Sequence, residues 1–100
     1  MTAEISVIVP TLNAERTLPA CLSALIEGVM AGLIHELIVT DGGSTDATLA
    51  IARDAGANLV SGPASRGGQL RRAAKTAKGR WLLVIHADTI LEPGWADVVA

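Results

Sequence analysis

Apolar residues fall along this chain in short blocks that switch between two periods. "ISVIVP" (residues 5–10) is a β-branched run closed by a proline and predicts a strand. In "NAERTLPACLSALIEGVMAG" (13–32), Leu18, Leu22, Leu25, Ile26 and Val29 recur at the spacing of one helix face, and Gly32 marks the stop. "HELIVT" (35–40) predicts a second strand. "DGGSTD" (41–46) reads as a turn in which Thr45 or Asp46 caps the helix "ATLAIARDAG" (47–56). "ANLVSG" (57–62) predicts a third strand, and "PASRGG" (63–68) a loop. "QLRRAAKTAKG" (69–79) predicts a helix with Leu70, Ala73, Ala74 and Ala77 on its apolar stripe and Gly79 closing it. "RWLLVIH" (80–86) predicts a fourth strand, and "EPGWADVVA" (92–100) the first turns of another helix.

The resulting order, β-α-β-α-β-α-β, predicts an α/β protein with an open, mostly parallel sheet. Its strands are almost wholly apolar rather than alternating, the pattern of a sheet covered by helices on both faces. Crossovers that contain a helix are right-handed. The segment "LLVIHADTI" (82–90) is expected to supply the central strand. Ligands of open α/β sheets bind beyond the carboxyl ends of the strands. Attention therefore falls on four loops: "PTLNAE", "DGGSTD", "GPASRGG" and "HADTILEPG".

Composition narrows the function class. One hundred residues suffice for one small domain, and half of them are apolar, so a core is affordable without disulfides. Trp81 and Trp95 are the only aromatic residues, and the net charge is -2. A basic field and stacking platforms are both missing, which argues against a nucleic-acid partner. Cys21 is the single cysteine and reads as a buried thiol on a helix. Neither a signal-peptide pattern nor an apolar run of membrane-spanning length occurs, so the expected location is cytoplasmic; peripheral attachment to an inner membrane stays open. The unfinished final helix suggests the front part of a larger domain, truncated at its C-terminus.

The loops lack G-x-G-x-x-G, G-x-x-x-x-G-K-[ST] and G-x-S-x-G, which takes most of the weight from the dinucleotide and P-loop readings and leaves a serine hydrolase without a visible nucleophile. Asp41 stands at a strand end beside Gly42 and Gly43. It is either part of a well-formed turn or an acceptor for the N–H groups of a base or sugar. Arg66 lies in a loop beside Gly67 and Gly68, before a helix N-terminus, a place suited to a diphosphate or a polar base edge. His86 and Asp88 are two apart, and would face one ligand if the strand persists through Ala87. An imidazole and a carboxylate can hold a divalent cation, but a lone His-x-Asp is equally a core histidine followed by a capped turn.

Taken in order, "ISVIVPTLNAE", "ELIVTDGGSTDAT" and "GRWLLVIHADTILEPGW" resemble the nucleotide-sugar-binding half of a family 2 glycosyltransferase with the GT-A fold. "SRGGQLRRAA" and "HADT" are most similar to a small bacterial subgroup of that family. The resemblance implies transfer of a sugar from a UDP- or GDP-sugar to an acceptor, with inversion and with Mg²⁺ or Mn²⁺. It implies that Pro10, Thr11 and Leu12 line the base pocket, Asp41 accepts from the base, Arg66 meets the base or diphosphate, and Asp88 holds the metal. His86 stands where the family's Asp-x-Asp motif has its first carboxylate, facing ribose or sugar, and Gly42 stands where many members have a second Asp. Residues 1–100 would form the nucleotide-sugar-binding part of one GT-A domain. The acceptor-binding part and the catalytic base would lie beyond Ala100, which would leave this stretch alone inactive. The alternative is a nucleotide-binding module without catalysis. A nucleotidyltransferase would want a Gly- and Arg/Lys-rich loop where "PTLNAE" stands.

Overall fold

A computed structural model describes residues 4–99, the side chains of Arg66, Val98 and Val99 excepted. The strands are β1 (Ile5–Thr11), β2 (Ile34–Asp41), β3 (Asn58–Ser61) and β4 (Trp81–Val84). The helices are α1 (Leu18–Met30), α2 (Thr48–Asp54), α3 (Arg66–Thr76) and α4 (Trp95–Val99). All strand pairs are parallel, in the order β3-β2-β1-β4. From β1 the chain steps outward through β2 to β3, then crosses back to lay β4 on β1's other side. The strand order therefore reverses between β1 and β4, the place where an open sheet leaves a crevice.

Alternation within the apolar strands separates two cores. Val7, Val9 and Val39 pack with Leu18, Cys21, Leu22 and Leu25 of α1 and Ala52 of α2. Ile8 and Ile38 pack with Ala73 of α3, flanked by Leu70 and Ala77. Helices thus cover both faces of β1 and β2, as the continuous apolar runs require.

Four expectations change. β4 is an edge strand among the described residues, not a central one: it pairs with β1 alone. Trp81, Leu82 and Val84 are consequently 61%, 51% and 46% exposed, although their pattern suits burial. α1 starts at Leu18 rather than Asn13, with Pro19 in the first turn, where a missing N–H breaks no helical bond. Asn13 has a left-handed backbone (φ 49°), which turns the chain before the helix. α3 starts at Arg66 rather than Gln69 because Ser65 Oγ accepts from Gly68 N at 3.2 Å and caps it there. It ends at Thr76, before Gly79, and Ala74 faces solvent. α2 begins at Thr48, so its cap position falls on Ala47 and not on Thr45 or Asp46; Asp46 still reaches forward to accept from Thr48 N at 2.9 Å.

The stretch after β4 is tied back onto α1. Trp95 Nε1 donates to Ala24 O at 2.7 Å. The Glu27 carboxylate accepts from Gly94 N at 2.8 Å and Ala96 N at 2.7 Å, satisfying two donors at the start of α4. Gly28 leaves the room that the Trp95 indole fills: a Cβ there would collide with it.

Candidate functional site

A cleft of about 360 Å³ opens where β1 and β4 diverge. Pro10, Thr11 and Leu12 from the end of β1 line one side, Val84 and His86 another, and Gln69 and Leu70 from α3 a third. Its size falls in the range of small-molecule sites. The divergence has a local cause. β4 stays paired with β1 only through Ile8↔Val84, after which Ile85 N donates to Ile8 O at 2.9 Å. Pro10 follows that last pair, so its missing N–H costs the ladder nothing. A larger cleft, about 600 Å³, lies between α1 and α2 over the start of β2. It sits at the amino end of the strands, away from the four loops.

Four of the expected residues, Pro10, Thr11, Leu12 and His86, therefore share one surface. Asp88 does not join His86 as a strand pair. β4 ends at Val84, and the chain turns so that Thr89 N donates to His86 O at 2.9 Å. The two-residue facing rule needs extended backbone, and here the backbone folds over. Asp88 is instead carried, exposed, on the turn that follows His86. Cys21 Sγ donates to the same His86 carbonyl at 3.6 Å, fixing the turn to α1. Burial pushes the Cys21 thiol pKa up, and the negative charge of Asp88 adds to the effect. Arg66 opens α3 rather than lying in a loop, so its backbone belongs to the positive end of that helix; its side chain lies outside the described groups.

Asp41 lies behind the cleft, 1% exposed. Oδ1 accepts from Thr11 Oγ1 at 2.7 Å and Ser44 Oγ at 2.6 Å; Oδ2 accepts from Gly43 N at 3.0 Å and Ser44 N at 2.7 Å. Burial raises its pKa, but the bonds from Ser44, Thr11 and Gly43 outweigh it and hold the carboxyl below the usual Asp value. A carboxylate offers about four lone-pair sites, and these are taken. To meet a base directly, Asp41 must give up one of these donors.

The first two loops are clasped together around it. Ser44 Oγ accepts from Asn13 N at 2.8 Å, and Asn13 Oδ1 accepts from Thr45 N at 2.8 Å. Thr48 Oγ1 accepts from Ala14 N at 2.9 Å, and Asp46 Oδ2 from Glu15 N at 3.2 Å. Asn13 and Gln69 were not singled out by sequence reasoning. A signal existed for Gln69: it stands one turn before Ala73 on α3's buried stripe, a polar residue in an apolar row.

Among the described residues no three His, Cys, Asp or Glu side chains gather into a metal cage. Asp88 offers one exposed carboxylate. A single carboxylate fits a hard cation taking its remaining ligands from water and phosphate oxygens, as Mg²⁺ and Mn²⁺ do.

Residues 6–99 match the family described as glycosyl transferase family 2. The chain belongs to that family. Among curated relatives, a PGL/p-HBAD biosynthesis glycosyltransferase of Mycobacterium bovis is 38% identical over 93 residues, covering 86% of this chain and 36% of that protein. A glucosyl-3-phosphoglycerate synthase of Mycolicibacterium smegmatis is 35% identical over 95 residues, covering 86% and 31%. The crystal structure of glucosyl-3-phosphoglycerate synthase from Mycobacterium tuberculosis with Mn²⁺, UDP and glucosyl-3-phosphoglycerate superposes with a TM-score of 0.76 at 34% identity, covering 85% of this chain and 33% of that one. The same enzyme has been solved with Mg²⁺ and UDP, at a TM-score of 0.77, 35% identity and coverage of 88% and 34%. This family 2 chain thus spans about a third of the length of its relatives.

Proposed function

We propose that this chain is the donor-binding part of a glycosyltransferase that moves a sugar from a UDP- or GDP-sugar to an acceptor. The observation that carries the reading is the cleft at the β1–β4 reversal, which draws on three strand-end and helix-start segments at once. Solved relatives that bind UDP with Mn²⁺ or Mg²⁺ favour UDP over GDP.

In this reading Pro10, Thr11 and Leu12 flank the base, and His86 faces the ribose or sugar. The α3 N-terminus presents backbone N–H groups and positive dipole to the diphosphate, with Arg66 at its first position. Asp88 supplies a carboxylate oxygen to the cation. When bound, Mg²⁺ or Mn²⁺ supplies positive charge against the departing diphosphate. Asp41 acts from behind, holding Thr11 and the Ser44 loop in place. The chain spans about a third of its relatives' length, and the carboxylate that would activate the acceptor hydroxyl for inverting attack is assigned to the part of the family fold that it does not span. No described helix is long and apolar enough to cross a membrane; a cytoplasmic place, with or without peripheral attachment to the inner membrane, is part of the same proposal.

Thermal unfolding of the full-length protein against a panel of nucleotides and nucleotide sugars, with and without Mn²⁺, tests the reading. A ligand at a hundred times its Kd adds about 2.7 kcal/mol to the folded state. UDP and UDP-sugars are expected to raise Tm, more so with Mn²⁺; a flat response to every nucleotide would sink the proposal. Metal-dependent release of glucose from UDP-glucose separates a transferase from a module that only binds.

A further inference from the structure

We infer that Gln69 and Gly42 form a paired positioning device at the floor of the cleft: the Gln69 amide, reaching in from α3, occupies the space a side chain at position 42 would need and sets the geometry of the β1 and β2 ends. The inference rests on the donor-binding reading and names residues that shape the nucleotide pocket.

Gln69 is 6% exposed, yet polar. A buried primary amide is costly unless its bonds are made. Here they are made to main-chain atoms of three different elements. Nε2 donates to Thr11 O at 3.0 Å and to Thr40 O at 2.9 Å, using both amide hydrogens. Oε1 accepts from Ser65 N at 3.1 Å, next to the cap of α3. The Gln69 main chain joins in, its carbonyl accepting from Thr40 Oγ1 at 2.8 Å. The carbonyl of Thr11, whose residue lines the cleft, is held twice, by Gln69 Nε2 and by Gly42 N at 2.9 Å.

Gly42 completes the device by absence. Its φ is not positive, unlike that of Gly43 at 97°, so no left-handed backbone demands glycine there. Space does. A Cβ at position 42 would lie 2.9 Å from Gln69 Oε1 and 3.0 Å from Ala64 Cα. The second neighbour is backbone and cannot swing aside, so the amide or the α3 cap must shift. Any side chain at 42 and the amide at 69 compete for one volume.

The test uses the full-length protein with UDP titrated calorimetrically in Mn²⁺, and UDP-glucose turnover measured beside it. Gln69→Met keeps the bulk and removes the bonds; Gly42→Ala keeps the amide and displaces it. Each is expected to weaken UDP by about 10-fold, equivalent to about 1.4 kcal/mol, and to raise KM for UDP-glucose while kcat stays within about 2-fold. In Gly42→Ala/Gln69→Ala the conflict with the amide is gone and only the contact with Ala64 Cα remains, so the double variant should lose less UDP affinity than the two single losses combined. A purely structural loosening would lower kcat while KM rises and would add between the two sites; either result overturns the inference, as does wild-type affinity in Gln69→Met. Should the position-69 variants fail to fold, unchanged UDP affinity in Gly42→Ala overturns it alone. A wild type that binds no UDP overturns both this and the donor-binding reading. A wild type that binds UDP with indifferent variants overturns this inference only.

Discussion

The Asp41 carboxylate accepts from four donors while almost wholly removed from water. Its ionised form is the one these donors favour, so its pKa lies below that of a free Asp. Asn offers one oxygen and adds hydrogens that face donors. Asp41→Asn should therefore cost about 1–3 kcal/mol at neutral pH, read by urea unfolding. The sign of the pH dependence follows from the lowered pKa. The stabilisation is complete above the unfolded Asp value of about 3.9 and is lost as pH falls through the lower folded value. Wild type and Asp41→Asn should thus converge in stability on acidification, and a constant gap into strong acid would contradict this. At this scale the chain was partly legible. His86 stood out because it ends an apolar run, and Pro10, Thr11 and Leu12 were named through the family resemblance; the structure gathers all four on one surface. Gln69 was not legible, because its partners are main-chain carbonyls contributed by residues 29 and 58 positions away, which leave no mark in the local sequence.

At the scale of elements, hydrophobic period fixed type and order correctly, from β1 through the start of α4. Boundaries were set by capping and by contacts between loops, which period does not encode. α1 waits until Leu18 because residues 13–15 are spent on the second loop, and α3 starts early because Ser65 caps it. β4 stops at Val84 and folds over, which moves Asp88 from a strand face to a turn. The stretch after that turn is tied to α1 at the start of α4, whose first N–H groups rest on Glu27. Glu27→Ala removes both acceptors and should cost about 1 kcal/mol, a usual capping loss. Hydrogen exchange should show faster exchange at Gly94 and Ala96 with β1 and β2 unaffected. Unchanged protection at those two amides would mean that Trp95 alone holds the segment.

Over the whole molecule, the reversal between β1 and β4 places one cleft at the carboxyl edge of the sheet, and the proposed function assigns that cleft of a glycosyl transferase family 2 chain to the sugar donor. His86 lines that cleft, and Gly42 lies next to it, against the Gln69 amide that also lines it. With so few protein ligands, metal and nucleotide should depend on each other, the diphosphate supplying oxygens that the chain does not. In the proposed donor-binding reading, Asp88 is the residue assigned to that coupling. Calorimetric titration of UDP into the full-length protein, with and without Mn²⁺, in wild type and Asp88→Ala, measures it directly. The account predicts that Mn²⁺ tightens UDP in wild type by about 10-fold, within the usual span of coupling energies, and leaves Asp88→Ala at its metal-free affinity. Equal tightening in both proteins, or none in wild type, would contradict it.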